Sequence, residues 1–154
     1  MFQIGDVICH PMHGAGVIED IVSRTGKTFY LAKMIHGSMT VMIPCETAEA
    51  IGVRHIISAA EAEELIAAFY EIPYVFNENW SKRYRENLGK IKSGDLLKLS
   101  EVVKTLYLHD KEKSLSTGER KLFNTAKNIL FSELSLSLGK SMSEIEHILF
   151  DNKK

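Results

Sequence analysis

Cysteine is scarce in this chain of 154 residues: there are two, Cys9 and Cys45, and only three prolines. So few cysteines exclude the stapled scaffold of a small secreted domain and fit a reducing compartment. Long apolar runs are missing too. The longest uninterrupted one, LIAAFY at residues 65–70, is far short of the roughly 20 residues that a membrane span needs. The opening MFQIGDVICH has no cationic segment followed by an apolar stretch, so no secretory signal is expected and the location read from it is cytoplasmic. Net charge is nearly absent, with 19 basic against 20 acidic side chains. That argues against a protein that coats nucleic acid through bulk charge. What remains, 45% hydrophobic and 25% charged residues, is an ordinary globular composition.

The average charge hides a local asymmetry. Residues 61–78 carry Glu61, Glu63, Glu64, Glu71 and Glu78 and no base; residues 80–92 carry Lys82, Arg83, Arg85, Lys90 and Lys92 against the single Glu86. A jump of sign at one point of a chain is a sharper functional pointer than the total.

Up to residue 57 the pattern is β. DVICH, GVIEDIV, TFYLAKMI and MTVMIP read as short strands, separated by the turn signals PMHGAG, SRTGK and HGS. SRTGK between two apolar runs predicts a hairpin in which Gly26 takes a positive φ. Short strands with tight turns and no helix between them predict a small barrel or strongly bent sheet of SH3-like or Tudor-like size. Beyond Ile57 the period changes to that of a helix. Residues 59–70 suit a helix that ends before Pro73, and Asn79 caps a helix over 80–92. Ser93-Gly94-Asp95 is a stop and a new cap, followed by Leu96, Leu99, Val103 and Leu106 at helical spacing. Ser116 with Glu119, and Ser141 with Glu144, are S-x-x-E capping boxes. The first opens a long helix with Leu122, Ala126, Ile129, Leu130 and Leu134 inward, ended by Gly139. The fold class is therefore α+β. Residues 1–57 are expected to form the β domain and residues 58–154 a compact bundle of four or five α-helices.

Nothing in the chain specifies a reaction. Cys9, His10, His13 and Cys45 have the side chains of a zinc site, yet Cys9 and His10 are neighbours and point to opposite faces of a strand. Neither a metal site nor a cysteine nucleophile is expected from them. Gly14-Ala15-Gly16 lacks the lysine of a P-loop and the third glycine of a dinucleotide turn, so a strand-entry turn or bulge is expected. The acids over 61–78 suit a solvated helix face.

The window NENWSKRYRENLGKIKS holds the sole tryptophan, Trp80, two residues before Lys82-Arg83 and at the start of a helix. A helix N-terminus presents unpaired N–H groups that suit a phosphate, and lysine and arginine beside it add phosphate contacts. An exposed indole there could wedge against or stack on a base where a duplex opens. The pattern alone allows another reading. Trp80, Tyr84, Leu88 and Ile91 share one helical face, which would make Trp80 core and the bases a rim.

From NWSKRYRENLGKIK through STGERKLFNTAKNILFSEL, the chain resembles the C-terminal region of the CarD/CdnL family of bacterial transcription regulators. FQIGDVICHPMHGAGVIEDI resembles the same family, and also the RNA-polymerase-interacting domain of the transcription-repair coupling factor. The likeness spans residues 2–137 in order, with the strings W-S-[KR]-R-Y and L-S-x-G-E-[RK]; residues 140–154 lie outside it. The resemblance implies a non-enzymatic regulator without cofactor, metal or small-molecule substrate. Its Tudor-like domain would bind the RNA polymerase β subunit. Its helical domain would contact promoter DNA in the minor groove at the fork, the upstream edge of the bubble, and stabilise the open complex. The protein would then sit at the nucleoid through polymerase, with no membrane partner.

Residue by residue, Trp80 matches the family's wedge, Lys82, Arg83 and Arg85 the bases beside it, and Arg120 another backbone contact. Arg24 matches a base at the polymerase contact, and Thr40, Val41 and Met42 lie on a strand that could pair edge to edge with the polymerase. Met42 stands where well-known members carry arginine, which implies a more apolar contact or a weaker one. The competing class is a protein-interaction adaptor whose helical module binds another protein rather than DNA.

Overall fold

The computed structural model describes residues 1–151. Five strands, β1 (Val7–His10), β2 (Gly14–Arg24), β3 (Lys27–Met34), β4 (Thr40–Pro44) and β5 (Arg54–His55), form one antiparallel sheet in the order β4-β3-β2-β1-β5. The β2–β3 hairpin closes on the pair Arg24–Lys27. Its two loop residues, Thr25 and Gly26, both have positive φ, 49° and 78°. That is the type I′ geometry whose twist matches the strands it joins. One face of the sheet wraps a core of Ile8, Ile18, Tyr30, Ala32, Met34 and Ile43, closed by Phe2, Ala48 and Val53. The Tyr30 hydroxyl accepts the Phe2 N–H at 3.0 Å, which ties the N-terminal segment to that core.

Five helices follow: α1 (Ala59–Glu71), α2 (Trp80–Lys92), α3 (Leu96–Lys113), α4 (Thr117–Leu138) and α5 (Met142–Phe150). The architecture is the expected α+β one, a Tudor-like β module followed by a helical bundle. The last three residues of the helical domain expected over 58–154 lie outside the described residues. Each helix starts on a side-chain cap: Ser58, Asn79, Asp95, Ser116 and Ser141 accept the N–H three residues on. The bundle core is built around α4, whose Leu122, Ala126, Ile129, Leu130 and Leu134 are all buried, with Phe123 and Phe131 beside them. Gly139 ends the helix at φ 65°, the left-handed geometry that glycine adopts without strain.

The two modules are joined by the C-terminal half of α4. Gly14 lies so close to it that a Cβ would fall 2.6 Å from Ser132 Oγ, at a φ of 82°. This is why glycine opens β2, and it gives the Gly14-Ala15-Gly16 turn a packing role. Ser132 Oγ accepts the Ala15 N–H at 2.9 Å. One residue on, the fully buried Glu133 carboxylate takes two bonds from the Arg54 guanidinium, at 2.6 and 2.8 Å, and one from the Ile57 N–H at 2.9 Å. The strand β5, too short to show in the sequence pattern, pairs with β1 and so places Arg54 against Glu133.

Cys9 faces this junction. It belongs to the helical core, whereas Cys45 packs against the sheet core. Burial, and then the nearby Glu133 carboxylate, push the Cys9 thiol far up. His10 and His13 pack ring on ring at 4.6 Å, and burial together with His13 lowers His10 to about 4, so it is neutral at physiological pH. Its Nδ1 accepts the Met12 N–H.

Glu133→Ala should cost about 3 kcal/mol in urea unfolding, since it strands a part-buried guanidinium and the Ile57 N–H together. A loss under about 0.5 kcal/mol would mean that this junction does not hold the modules together.

Candidate nucleic-acid interface

Asn79 ends an extended connector and caps α2 by accepting the Lys82 N–H at 3.0 Å. Trp80 is therefore the first helical residue, at a corner of the molecule. Its stripe is not core throughout. Exposure falls along the helix, from 46% at Trp80 through partly buried Tyr84 and Leu88 to 2% at Ile91. The indole stacks on the Tyr84 ring, centroids 5.3 Å apart and planes 19° off parallel, and its Nε1 donates to Ser116 Oγ at 3.2 Å. Ser116 is the N-cap of α4. Two helix N-termini therefore meet at one exposed indole. Among the described residues the N–H groups of Trp80 and Ser81 on α2, and of Thr117 and Gly118 on α4, have no protein acceptor. Each such end carries roughly half a positive charge.

The four cations expected around the indole separate into three kinds. Lys82 and Arg85 are exposed, and among the described residues neither has an ion-pair partner. Arg120 is half exposed and pairs with Asp110 at 2.9 Å, a surface bond worth ~0–1 kcal/mol that a phosphate can displace. The Arg120 guanidinium, and then the Leu115 N–H, hold the Asp110 carboxyl below its ordinary range.

Arg83 departs from the expectation. It is 7% exposed and turned inward, giving two bonds to Glu119 at 2.7 and 2.9 Å and a third to the Asn77 carbonyl at 2.7 Å. Its guanidinium also lies over the Phe76 ring at 4.5 Å. Three of its five N–H donors are engaged and the side chain is nearly sealed, so it binds α2 to α4 and to the connector rather than facing solvent as Lys82 and Arg85 do. The reason is helical phase. Arg83, Asn87 and Ile91 recur every fourth residue and are all buried, so the inner face of α2 begins polar and ends apolar.

That inward arginine changes the cap of α4. At Ser58–Glu61 and Ser141–Glu144 both halves of the capping box form. At Ser116–Glu119 only the serine half does, because the glutamate is taken by Arg83. Besides Glu119, the pattern missed Ser116 as the acceptor of the indole N–H. It also missed His109 and Lys113, which the end of α3 brings alongside. The Trp80–Tyr84 spacing of four could have revealed the ring stack.

On the sheet, Thr40, Val41 and Met42 pair with Lys33, Ala32 and Leu31, and β4 bonds to no strand on its other side among the described residues. Met42 is 45% exposed, on the outer face with Thr40, while Val41 packs toward the sheet core. Arg24 is at the hairpin tip opposite Lys27. Six residues of β3, about 20 Å, separate its row from that of Thr40. The four candidates thus form an edge and a separate tip. Among the described residues, no group of three or more His, Cys, Asp or Glu side chains is placed to hold a metal ion, and no helix is long and apolar enough to cross a membrane.

Residues 57–150 match the family model described as CarD, C-terminal domain, and residues 2–57 match that described as CarD-like/TRCF RID domain. A curated protein of Bacillus subtilis (strain 168), described as "Putative transcription factor YdeB", is 34% identical over 157 residues, covering 95% of this chain and 98% of its own.

The Arg83 guanidinium holds the Glu119 carboxyl below its ordinary value of 4.5. The stability this pair contributes is complete above that value and is lost as pH falls through the depressed one. Arg83→Met should cost about 3–5 kcal/mol at pH 7, because a buried carboxylate is left unpaired. It should also reverse the trend, with the variant gaining stability on acidification toward about pH 5 as that carboxylate takes up a proton. Urea melts at both pH values read the two effects; parallel pH profiles for variant and parent would remove the pairing from the account.

Proposed function

The chain belongs to the CarD family of transcription factors, which work through RNA polymerase, and from that premise we propose that it is a non-enzymatic bridge between RNA polymerase and promoter DNA. Residues 1–57 form the polymerase-facing module and bind the β subunit through the β4 edge, Thr40, Val41 and Met42, with Arg24 at the hairpin tip. The helical module, from residue 58 onward, meets the minor groove at the upstream edge of the transcription bubble. There the Trp80 indole wedges into the fork, and Lys82, Arg85 and, once released from Asp110, Arg120 hold the flanking phosphates. Arg83 is removed from that contact set and becomes the residue that positions the wedge.

The observation that carries this reading is an indole half exposed at a corner where two helix N-termini converge. A ring used only for packing would be sealed, as Ile91 is on the same stripe. An aromatic wedge needs a rigid mount and a free surface, and insertion between base steps is a known use of such side chains. Near-zero net charge fits as well, because two free cations and one exchangeable one give only a weak, salt-sensitive hold on free DNA. Tethering through polymerase makes that hold intramolecular, at high effective concentration. A wedge that fits melted DNA better than duplex then shifts the opening equilibrium, and ~1.4 kcal/mol of difference changes it tenfold. This role uses no cofactor and no base-reading helix, and it confines the protein to the cytoplasm, at the nucleoid.

Trp80→Ala should shorten open-complex lifetime about tenfold, measured by competitor challenge. Its retention on immobilised polymerase should be unchanged, and its thermal stability close to the parent's. Unchanged lifetime in a folded variant rejects the wedge. Met42→Glu should lower polymerase retention severalfold and leave binding to forked DNA as it was. Retention equal to the parent's would move the polymerase contact away from β4.

A further inference from the structure

Where the end of α3 meets the starts of α2 and α4, an open groove of about 490 Å³ runs beside the indole. Its lining includes Phe76, Glu78, Trp80, His109, Lys113 and Ser116. One face of Trp80 is already taken by Tyr84, and the ring lines the groove with what remains. His109 is the unexplained member. It is 5% exposed, its ring lies tilted against Phe76 with centroids 4.4 Å apart, and its Nδ1 is buried with no hydrogen-bond partner among the described residues. A buried nitrogen left unpaired destabilises a fold, and an apolar ring of the same shape would serve the packing better. The imidazole therefore has a use that the free protein does not display. His109 lines the groove, which puts the ring that carries the orphan nitrogen in its wall.

The groove's chemistry selects its occupant. It offers an aromatic wall, a buried imidazole and a serine hydroxyl; of its two carboxylates, Glu119 is already bound by the Arg83 guanidinium that lines the groove with it, and Glu78 disfavours an anion inside. Lys113, a member of the lining, suits a phosphate at the rim. A flat, uncharged, hydrogen-bonding ring carried on a phosphate chain meets all of these requirements. We propose that this groove receives one unpaired nucleobase from the opened duplex, laid against the Trp80 indole and hydrogen-bonded at its edge by His109. The proposal rests on the DNA reading above and adds to it: the wedge separates the strands, and the groove behind it stores a base that would otherwise re-pair.

The full chain is titrated at low ionic strength with three DNAs: a closed duplex, a fork with one unpaired base at the junction, and the same fork with that position abasic. The wild-type protein should bind the intact fork about tenfold more tightly than the abasic one, the range that base–aromatic stacking gives. His109→Phe keeps an aromatic ring against Phe76 and removes the orphan nitrogen. It should melt at or above the parent's temperature and bind the two forks with nearly equal affinity. Equal wild-type affinity for intact and abasic forks overturns the base-holding groove while the wedge stands. This comparison needs no variant and so does not depend on His109→Phe folding. A variant that still discriminates between the forks like the parent overturns the role of His109. Wild-type protein that does not prefer a fork to a closed duplex overturns the DNA reading itself, and the groove with it.

Discussion

Helix α4 has a buried glutamate near each end, and each is held by an arginine from a different element. Glu119 is taken by Arg83 of α2, Glu133 by Arg54 of β5. The two carboxylates are fourteen residues apart, about 21 Å of helix. Everything else in the arrangement follows from this strut. Its first turn fixes the corner that displays Trp80, and its second half fixes the sheet. Buried ion pairs of this kind seldom add stability over a well-packed apolar alternative, because desolvation offsets the attraction. What they supply is a single geometry. A guanidinium that must meet both oxygens of one carboxylate tolerates little rotation or sliding, whereas an apolar contact between the same helices would accept several registers.

The parts readable from the sequence were those written in local chemistry. Caps at Asn79, Asp95, Ser116 and Ser141 are short-range hydrogen bonds, and the inner stripe of α4 is a single periodicity. The Thr25-Gly26 turn needed only its two residues. What could not be read depended on elements meeting from afar. Arg83 sits between Lys82 and Tyr84 in a basic run, and composition makes it look like its neighbours. Only the burial of Asn87 and Ile91 four and eight residues on reveals that it points inward. A stripe that begins polar is invisible to a search for apolar spacing. Glu119 was visible as half of a capping box, but its real partner comes from another helix, thirty-six residues away. The two-residue strand β5 has no pattern at all; what explains it is Arg54 reaching Glu133.

The same distinction governs which cations can act. Lys82, Arg83 and Arg85 are equal in a charge count, yet the structure assigns Arg83 to the interior and leaves the other two to solvent. An interior arginine contributes through what it positions. By occupying Glu119 it prevents the second half of the capping box, while the Ser116 hydroxyl accepts both the Glu119 N–H and the indole N–H. Arg83, Glu119, Ser116 and Trp80 thus form one hydrogen-bonded series, running from the buried helix contact to the exposed ring.

On the proposed reading, rigidity matters more than affinity. A ligand shifts an equilibrium only by its difference in affinity between the two states. An indole on a loose mount would follow the DNA into either state and discriminate little. Tethering adds its own demand, since effective concentration is high only when the span between the two attachment points matches the distance to be bridged. A flexible link between sheet and bundle would spread the wedge over many positions, most of them away from the fork. A single helix pinned by Arg54 at the sheet and by Arg83 at the corner holds that span constant. The weak charge of the whole chain is then an advantage: with little attraction for closed duplex, almost all of the binding difference between closed and melted DNA is left to the corner that α4 carries.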